Sequence, residues 1–250
     1  MKVFVVGKTE ARLLHATTNG YGMPGKAKGS KFQNRHGARP GKDFGKNRSY
    51  EPEALLEFAG RLCYESFDMP NPDTATRSGY LDNIIMQSHE SVLEHASISF
   101  YVEGVSRNLS HELIRHRHLS FSELSQRYVD MGEANFITPP AFRDGEPHEL
   151  KGAHLALEDY DYALSELGRL GVKGKKAKEA ARSYLPAGTE TKFVVTGNLR
   201  AWRDVLKKRD SEHADAEMQL FAKEVKRQLL VEFPNVFKDL SASGQSDTPA

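Results

Sequence analysis

The sequence predicts a mixed α+β fold in which a small β-sheet is flanked by several long helices. Three short runs rich in β-branched and aromatic residues predict strands at residues 2–6, 97–102 and 192–196. Longer stretches repeat apolar residues every three or four positions, which is typical of helices with one buried face. The chain has 250 residues, enough to bury one sizeable core, so we expect a single domain over residues 1–240.

The first predicted strand is followed by a segment of very different composition. Residues 17–49 are rich in Gly, Lys and Arg and poor in aliphatic residues, which predicts a long mobile basic loop. Gly20, Gly22 and Gly25 match the dinucleotide pattern G-x-G-x-x-G, but Pro24 intrudes and no apolar helix follows. We therefore interpret the match as accidental. At the other end, the Ser-, Gly- and Thr-rich residues 241–250 predict a disordered tail.

Several helices can be read in order from the apolar spacing. The first begins at Pro52, and its periodicity predicts that Cys63 faces the core as an unreactive thiol. The third begins near Ser106, the fourth covers residues 150–170, and a final pair follows Asn198. The predicted core positions are Leu55, Phe58, Ala59, Leu62, Leu81, Ile84, Ile85, Leu109, Leu113, Leu155, Tyr162, Leu167, Leu199, Trp202, Val205, Leu206, Met218, Phe221, Val225 and Leu229.

Charge and cysteine content exclude several classes of protein. The 35 Lys and Arg residues nearly balance the 34 Asp and Glu residues, so no global field draws the protein to nucleic acid or to an anionic membrane. One cysteine excludes an intrachain disulfide and a cysteine-rich zinc cluster. With no long apolar run and no signal peptide, we expect a cytoplasmic protein.

The most unusual stretch is residues 115–128, which crowds arginines, histidines and serines together without Lys, Gly or Pro. Guanidinium groups bind phosphate or carboxylate through paired donors, and serine hydroxyls add short ones. The stretch therefore predicts an anion-binding element rather than a solvated loop. Its helix would place Glu112 and Arg115 on one face, where they could contact one ligand or each other.

Two histidine pairs invite a metal-site interpretation but have the wrong period. His89 and His95 are six residues apart, and His111 and His116 are five apart, whereas two ligands on one helix face are four apart. We expect no metal site. Arg200 and Arg203 lie in the first turn of a predicted helix, where cations oppose the helix dipole, and this conflict favours a bound anionic ligand.

The pattern formed by Arg115, His116, Arg117, Ser120, Ser125, Arg127 and Tyr128 resembles the signature of the flavin-dependent thymidylate synthases. The segment from His89 to Ala96, the approach from His111 to Ile114, and Arg182 before Leu185-Pro186 also resemble that family. So do Asn198 to Trp202 and Arg209 to His213, and together these segments extend over about residues 51 to 235. Ser122, often Asn in the motif, and Asp204 depart from the pattern, so their cofactor contacts are not carried over.

The resemblance implies reductive methylation of dUMP to dTMP. The carbon would come from 5,10-methylenetetrahydrofolate, the reducing equivalents from NADPH, and FAD would pass hydride. The family implies a homotetramer with FAD and nucleotide sites at subunit interfaces. It also implies turnover without an enzyme cysteine adding to the uracil ring.

The resemblance also assigns roles to individual residues. FAD would contact Ser91, Arg115, His116, Arg117, Asn198 and Arg200, while Glu123 would lie between flavin and nucleotide and His89 near flavin and folate. The dUMP site would contain Glu112, Arg115, Glu123, Leu124, Ser125, Gln126, Arg127, Arg182 and Arg209. Arg209 would be catalytic, stabilising negative charge on the uracil ring.

Three other functions are weighed against this one. A cysteine-dependent thymidylate synthase needs a reactive thiol, for which Cys63 is a poor candidate. A nucleic-acid-binding module would show steep salt dependence and no flavin. A metal hydrolase would contain metal after purification. Neither the route of carbon transfer, the NADPH-binding residues nor the role of the basic loop follows from the sequence.

Overall fold

The computed structural model describes residues 1–9, 52–64, 66, 71–142 and 151–241. The predicted loop at residues 17–49 and residues 242–250 of the predicted tail lie outside the described residues. Four strands form one sheet in the order β1-β2-β4-β3. The strands are β1 (Lys2–Lys8), β2 (Ser97–Ser106), β3 (Ser120–Glu123) and β4 (Glu190–Asn198).

Helices account for most of the remaining described residues, which confirms the predicted α+β class with its small sheet. The α-helices are α1 (Glu53–Leu62), α2 (Arg77–Met86), α3 (Arg107–Leu113), α4 (Lys151–Arg169), α5 (Lys175–Ala181), α6 (Leu199–Arg209), α7 (Ala216–Glu232) and α8 (Pro234–Ser241). Short 3-10 helices cover Pro72–Thr74, Glu90–His95, Pro140–Phe142 and Arg182–Tyr184. None of the helices in the described ranges has the length and apolar character needed to span a membrane.

The chain divides into two compact units. The first unit contains the described residues within Met1–Gly7, Ser99–Gly197 and Ala201–Arg227, and the second contains those within Lys8–Ile98, Asn198–Arg200 and Gln228–Ala250. The domain boundaries inferred from the sequence, 1–240 for the domain and 241–250 for the tail, remain a prediction.

The core of the first unit joins the sheet to α6 and α7. Phe100 of β2 packs edge-on against Trp202 of α6, with ring centroids 5.1 Å apart. Phe193 and Val195 of β4 are also buried, and so are Phe221 and Val225 of α7, as the apolar spacing of the last helix predicts. Gly197 lies close to Leu119, since a Cβ there would be 2.4 Å from Leu119 Cδ2. This contact fixes the segment that follows the Arg115–Arg117 motif against β4.

The buried carboxylate of Glu217 holds the residue that caps the start of α3. Ser106 caps the helix by accepting the Leu109 N–H at 3.2 Å, and Glu217 Oε1 accepts the Ser106 N–H at 2.9 Å. The Ser106 hydroxyl donates to Glu217 Oε2 at 2.5 Å. Both residues are buried, yet each polar group has a partner, as burial of a charge requires. The predicted start near Ser106 is therefore confirmed, and this cap defines where the helix that carries Glu112 begins.

The core of the second unit is built by α1, α2 and α8. Leu56, Leu81, Ile84 and Phe237 are buried there. Glu53 accepts the Asn235 N–H at 2.8 Å and the Val236 N–H at 3.2 Å, which satisfies donors at the start of α8. Burial raises the pKa of Glu53, while these hydrogen bonds oppose the rise.

Several predicted core positions are wrong because the buried helix face is rotated. In α1 the buried residues are Glu53, Leu56, Gly60 and Arg61, while Leu62 and Cys63 are exposed. Arg61 is buried because it donates to Glu57 Oε1 at 2.9 Å and lies 4.4 Å from the centre of the Tyr80 ring. Apolar spacing alone does not predict a buried arginine with partners.

The same rotation occurs in α4. Leu155 and Tyr162, predicted for the core, are 59% and 66% exposed. Tyr160 is buried instead, in a cluster with Met131 and Ala181. Its hydroxyl accepts the Met131 N–H at 3.2 Å, so the polar end of the tyrosine is satisfied. The strand predicted at residues 2–6 forms as β1, in which Val3 is buried whereas Phe4 and Val6 are exposed.

Candidate functional site

The first part of the candidate site is a hydrogen-bonded cluster around Arg209, the last residue of α6. Arg209 Nη1 donates to Glu112 Oε2 at 3.0 Å, and Nη2 donates to the Glu112 carbonyl at 3.4 Å. Arg209 Nε donates to His116 Nε2 at 3.0 Å. The structure thus brings together a residue predicted for catalysis, one predicted for the nucleotide and one predicted for the flavin.

His116 is held between α3 and α6 with a side chain that is only 8% exposed. Burial lowers the pKa of its imidazole below the usual value, and the positive charge of Arg209 lowers it further, while Asp204 opposes the shift. The backbone N–H of His116 donates to the Leu113 carbonyl at 3.0 Å. A neutral imidazole in a fixed position follows from these contacts.

Arg115 and Arg117 flank this histidine and are exposed. The predicted helix that would carry both Glu112 and Arg115 ends two residues before Arg115, because α3 ends at Leu113 and Ile114 caps it. The Arg115 N–H still reaches the Glu112 carbonyl at 3.3 Å, so the turn continues tightly. Within the described ranges, neither arginine forms an ion pair, and both guanidinium groups can therefore receive an anion.

Glu123, the last residue of β3, accepts three hydrogen bonds on one carboxylate oxygen. Oε1 accepts from Arg107 Nη1 at 3.2 Å, from Ser110 Oγ at 2.9 Å and from Thr191 Oγ1 at 2.9 Å. These donors come from α3 and β4. The Glu123 carboxylate therefore links β3 to both α3 and β4.

The sequence reasoning missed these three donors. A signal existed for Arg107, which is the first residue of α3, where a cation opposes the helix dipole and needs a nearby carboxylate. Ser110 lies three residues further on the same helix face. Thr191 carried no signal, because only the pairing of β3 with β4, with Glu123 opposite Phe193, brings it near.

The segment after β3 contains the remaining predicted nucleotide residues, Leu124 to Arg127. Leu124 packs against the cluster of Met131, Tyr160 and Ala181, and the half-buried Ser125 accepts the Tyr128 N–H at its carbonyl at 3.1 Å. Gln126 is buried, and its Nε2 has no hydrogen-bond partner among the residues that the structure describes. A buried amide donor of this kind is typical of a site that a ligand completes.

Helix α5 holds the end of this segment. Arg127 Nε donates to Glu179 Oε2 at 2.9 Å, and Lys178 Nζ donates to the Tyr128 carbonyl at 3.1 Å. Lys175 lies 4.9 Å from the centre of the Tyr128 ring and lowers the pKa of its hydroxyl. Arg182 follows at the end of α5 and is exposed, without an ion pair within the described part of the chain.

The second unit holds the other predicted flavin residues. His89 precedes the 3-10 helix Glu90–His95, and both His89 and Ser91 are exposed. Arg200 Nη1 donates to Glu94 Oε1 at 2.6 Å, and its Nε lies 4.0 Å from Glu90 Oε2.

These ion pairs join the first turn of α6 to the segment that carries Ser91. Asn198, at the end of β4, directly precedes that turn and is half-buried. The carboxylates of Glu94 and Glu90 also offset part of the unfavourable interaction between the Arg200 cation and the dipole of α6.

Fold and site together define an α+β protein whose candidate site presents guanidinium groups suited to phosphate-bearing ligands. The family model described as "Thymidylate synthase complementing protein" matches residues 47–235. The chain is also 48% identical over 207 residues to a flavin-dependent thymidylate synthase of Mycobacterium marinum, covering 78% of this chain and 82% of the relative. The chain belongs to the flavin-dependent thymidylate synthase family.

Further matches agree with this family. A flavin-dependent thymidylate synthase of Mycobacterium tuberculosis is 48% identical over 204 residues, covering 78% of this chain and 82% of the relative. Among solved structures, thymidylate synthase X from Helicobacter pylori with FAD and dUMP is similar with a TM-score of 0.59 and 27% identity. That match covers 75% of this chain and 94% of the other.

Proposed function

We propose that this protein binds FAD and methylates dUMP to dTMP. The observation that carries the proposal is the direct contact of Arg209 with both Glu112 and His116, which joins three separate parts of the family pattern in one cluster. The similar structure from Helicobacter pylori contains FAD and dUMP. Exposed arginines on the same segment supply the charge that two phosphate-bearing ligands need.

The residues present fit a flavin with its diphosphate and an adjacent nucleotide. Arg115 and Arg117 are exposed and suited to phosphate, and Gln126 Nε2 is a buried donor without a partner in the described residues. From the family resemblance, the residues that would contact the flavin are Arg115, His116, Arg117, Glu123, His89, Ser91, Asn198 and Arg200. When bound, FAD supplies hydride transfer, which no side chain of this protein can perform.

The nucleotide side would consist of Glu112, Arg115, Glu123 to Arg127, Arg182 and Arg209. In this arrangement Arg209 is a fixed cation, because Glu112 and His116 hold its guanidinium before any ligand arrives. A fixed cation stabilises negative charge that develops on a uracil ring without the cost of reorganisation. Ser125 would contact the nucleotide through its hydroxyl and backbone rather than act as a nucleophile.

The cosubstrates and the assembly are part of the same proposal. Methylenetetrahydrofolate would give the carbon and leave as tetrahydrofolate, and NADPH would supply the reducing equivalents. A homotetramer with sites at subunit interfaces is proposed from the family resemblance. The exposed arginines of the first unit agree with ligand sites that another subunit completes.

Absorption spectroscopy and product analysis test this function. The purified protein should be yellow, its visible spectrum should change when dUMP is added, and NADPH oxidation should accompany formation of dTMP and tetrahydrofolate. Formation of dihydrofolate, or a colourless protein that reconstitution with FAD leaves inactive, would contradict the proposal. The same sample should contain no bound metal and should show no salt-dependent binding to nucleic acid, results that would exclude the metal hydrolase and the nucleic-acid-binding module.

Replacing Cys63 with alanine should leave turnover unchanged. Cys63 is exposed in the second unit, and its thiol donates to the Ala59 carbonyl at 3.5 Å. It was predicted to be buried, which is wrong, yet the expected outcome is the same because this thiol lies outside the proposed chemistry. Steady-state dTMP formation measures the effect, and inactivity of a folded, yellow Cys63→Ala protein would favour the cysteine-dependent mechanism.

A further inference from the structure

Arg209 is held by two acceptors of different kinds. Glu112 Oε2 accepts from Nη1 at 3.0 Å and carries a negative charge, whereas His116 Nε2 accepts from Nε at 3.0 Å. An imidazole nitrogen can accept only with its lone pair free, so the proton of His116 resides on Nδ1. The hydrogen bond to Nε therefore exists only while His116 is neutral.

The charges that face His116 come mainly from α6. His116 Nδ1 lies 3.7 Å from Asp204 Oδ2, and Lys208 Nζ lies 2.7 Å from Asp204 Oδ1. Arg209 faces the other ring nitrogen, and Glu112 of α3 accepts a hydrogen bond from the same guanidinium. The neighbours Arg115 and Arg117 on the same segment are exposed. Asp204 therefore favours the imidazolium, and Lys208 and Arg209 oppose it.

We propose that His116 is a positioning residue for Arg209, aiming the guanidinium at the uracil site through its neutral Nε2. This inference rests on the proposed function and adds to the flavin role predicted for His116. A proton on Nε2 would set an N–H against the Arg209 Nε–H and place two cations in contact. The hydrogen bond would break, and Arg209 would keep only its bonds to Glu112. Methylation should then fall as the pH drops through the pKa of His116.

Nuclear magnetic resonance of the FAD-loaded protein tests the tautomer without reference to turnover. Labelled imidazole signals should show His116 protonated on Nδ1 and titrating below the usual pH of about 6.5. A His116→Gln sample assigns the signal by its disappearance. Protonation on Nε2 at neutral pH would overturn the proposal, even if the protein proves to be an active thymidylate synthase.

Two surface variants give opposite expected shifts in the pH profile of kcat. Asp204→Asn removes the charge that favours the imidazolium, so the acid limb should move to lower pH by about half a unit. Lys208→Met removes an opposing charge and should move it to higher pH by a similar amount. Neither variant alters His116 itself. Shifts in the same direction, or no shift in either variant, would overturn the proposal.

His116→Gln completes the test because a glutamine carbonyl can accept from Arg209 Nε but does not titrate in this range. This variant should retain more activity than His116→Phe, which has no acceptor, and should lose the acid limb. Flavin content measured by absorbance normalises both rates. An acid limb that persists unchanged in His116→Gln would contradict the positioning role. A protein that forms no dTMP under any condition would instead refute the proposed function.

Discussion

Arg209→Ala should lower the rate of dUMP methylation by about 100-fold to 1,000-fold, which is the usual cost of removing a fixed group that stabilises charge in the transition state. Arg209 is poised before ligand binding by Glu112 and His116. Its loss also leaves Glu112 without its cation, so dUMP affinity should fall as well. Flavin should largely remain, because Arg115 and Arg117 are untouched. Single-turnover dTMP formation, expressed per bound flavin, separates the slower methylation and the weaker dUMP binding from loss of the cofactor.

Arg227→Ala provides the matched control for this prediction. Arg227 pairs with Glu224 on the exposed face of α7 and is distant in sequence from the motif segments. The variant should retain normal turnover. Arg209→Lys keeps the charge but loses the planar fork, so its rate should fall between those of the alanine variant and the original protein. Full methylation activity in Arg209→Ala would eliminate the proposed role in ring activation.

Glu123→Ala should destabilise the protein by about 2–3 kcal/mol and also weaken dUMP binding. The substitution leaves the buried hydroxyl of Thr191 without its acceptor and Arg107 without its carboxylate, while the Ser110 hydroxyl keeps only the Arg107 carbonyl, at 3.1 Å. Each unsatisfied buried hydroxyl costs about 1–3 kcal/mol, and the side chain of Glu123 is partly exposed, which reduces the total. Urea denaturation followed by circular dichroism measures the change in unfolding free energy.

Thr191→Val separates the role of the carboxylate from general damage. It keeps the shape of Thr191 but removes the hydroxyl, and in a double-mutant cycle with Glu123→Ala the two changes should couple by about 1 kcal/mol. Glu166→Ala, which removes an exposed partner of Arg169, should change stability by less than about 0.5 kcal/mol. Additive effects in the cycle would show that Thr191 and Glu123 do not act together.

Much of the architecture follows from local pattern. The strand near residues 192–196, the helix that begins after Asn198 and the buried residues of α7 are all confirmed. In each case the regularly spaced apolar residues are buried, so the period in the sequence and the burial in the structure coincide.

The errors arise where a polar residue occupies the buried face. In α1, Glu53 caps α8 and Arg61 lies over Tyr80, so the spacing of the apolar residues predicts the wrong buried face of the helix. Leu155 and Tyr162 of α4 show the opposite error, since apolar side chains there remain exposed. Neither outcome can be read from one helix, because both depend on what the rest of the fold brings near it.

The residues of the candidate site could be selected from the sequence, but their contacts could not. Local charge and the resemblance to the family selected Glu112, His116 and Arg209. The hydrogen bond from Arg209 to His116 joins residues 93 positions apart, which no local period encodes. Glu179 and Thr191 carried no chemical signal of their own and become meaningful only through the partners that the fold supplies.

Strand β3 occupies one end of the sheet order and has only four residues. Edge strands are the first parts of a sheet to open, because each pairs on one side only. The hydrogen bonds from α3 and β4 to Glu123 therefore oppose local opening of β3 as well as unfolding of the whole protein. Ligands that bind the segment after β3 would oppose the same local opening. The segment would then gain protection against exchange with solvent while the rest of the sheet stays unchanged.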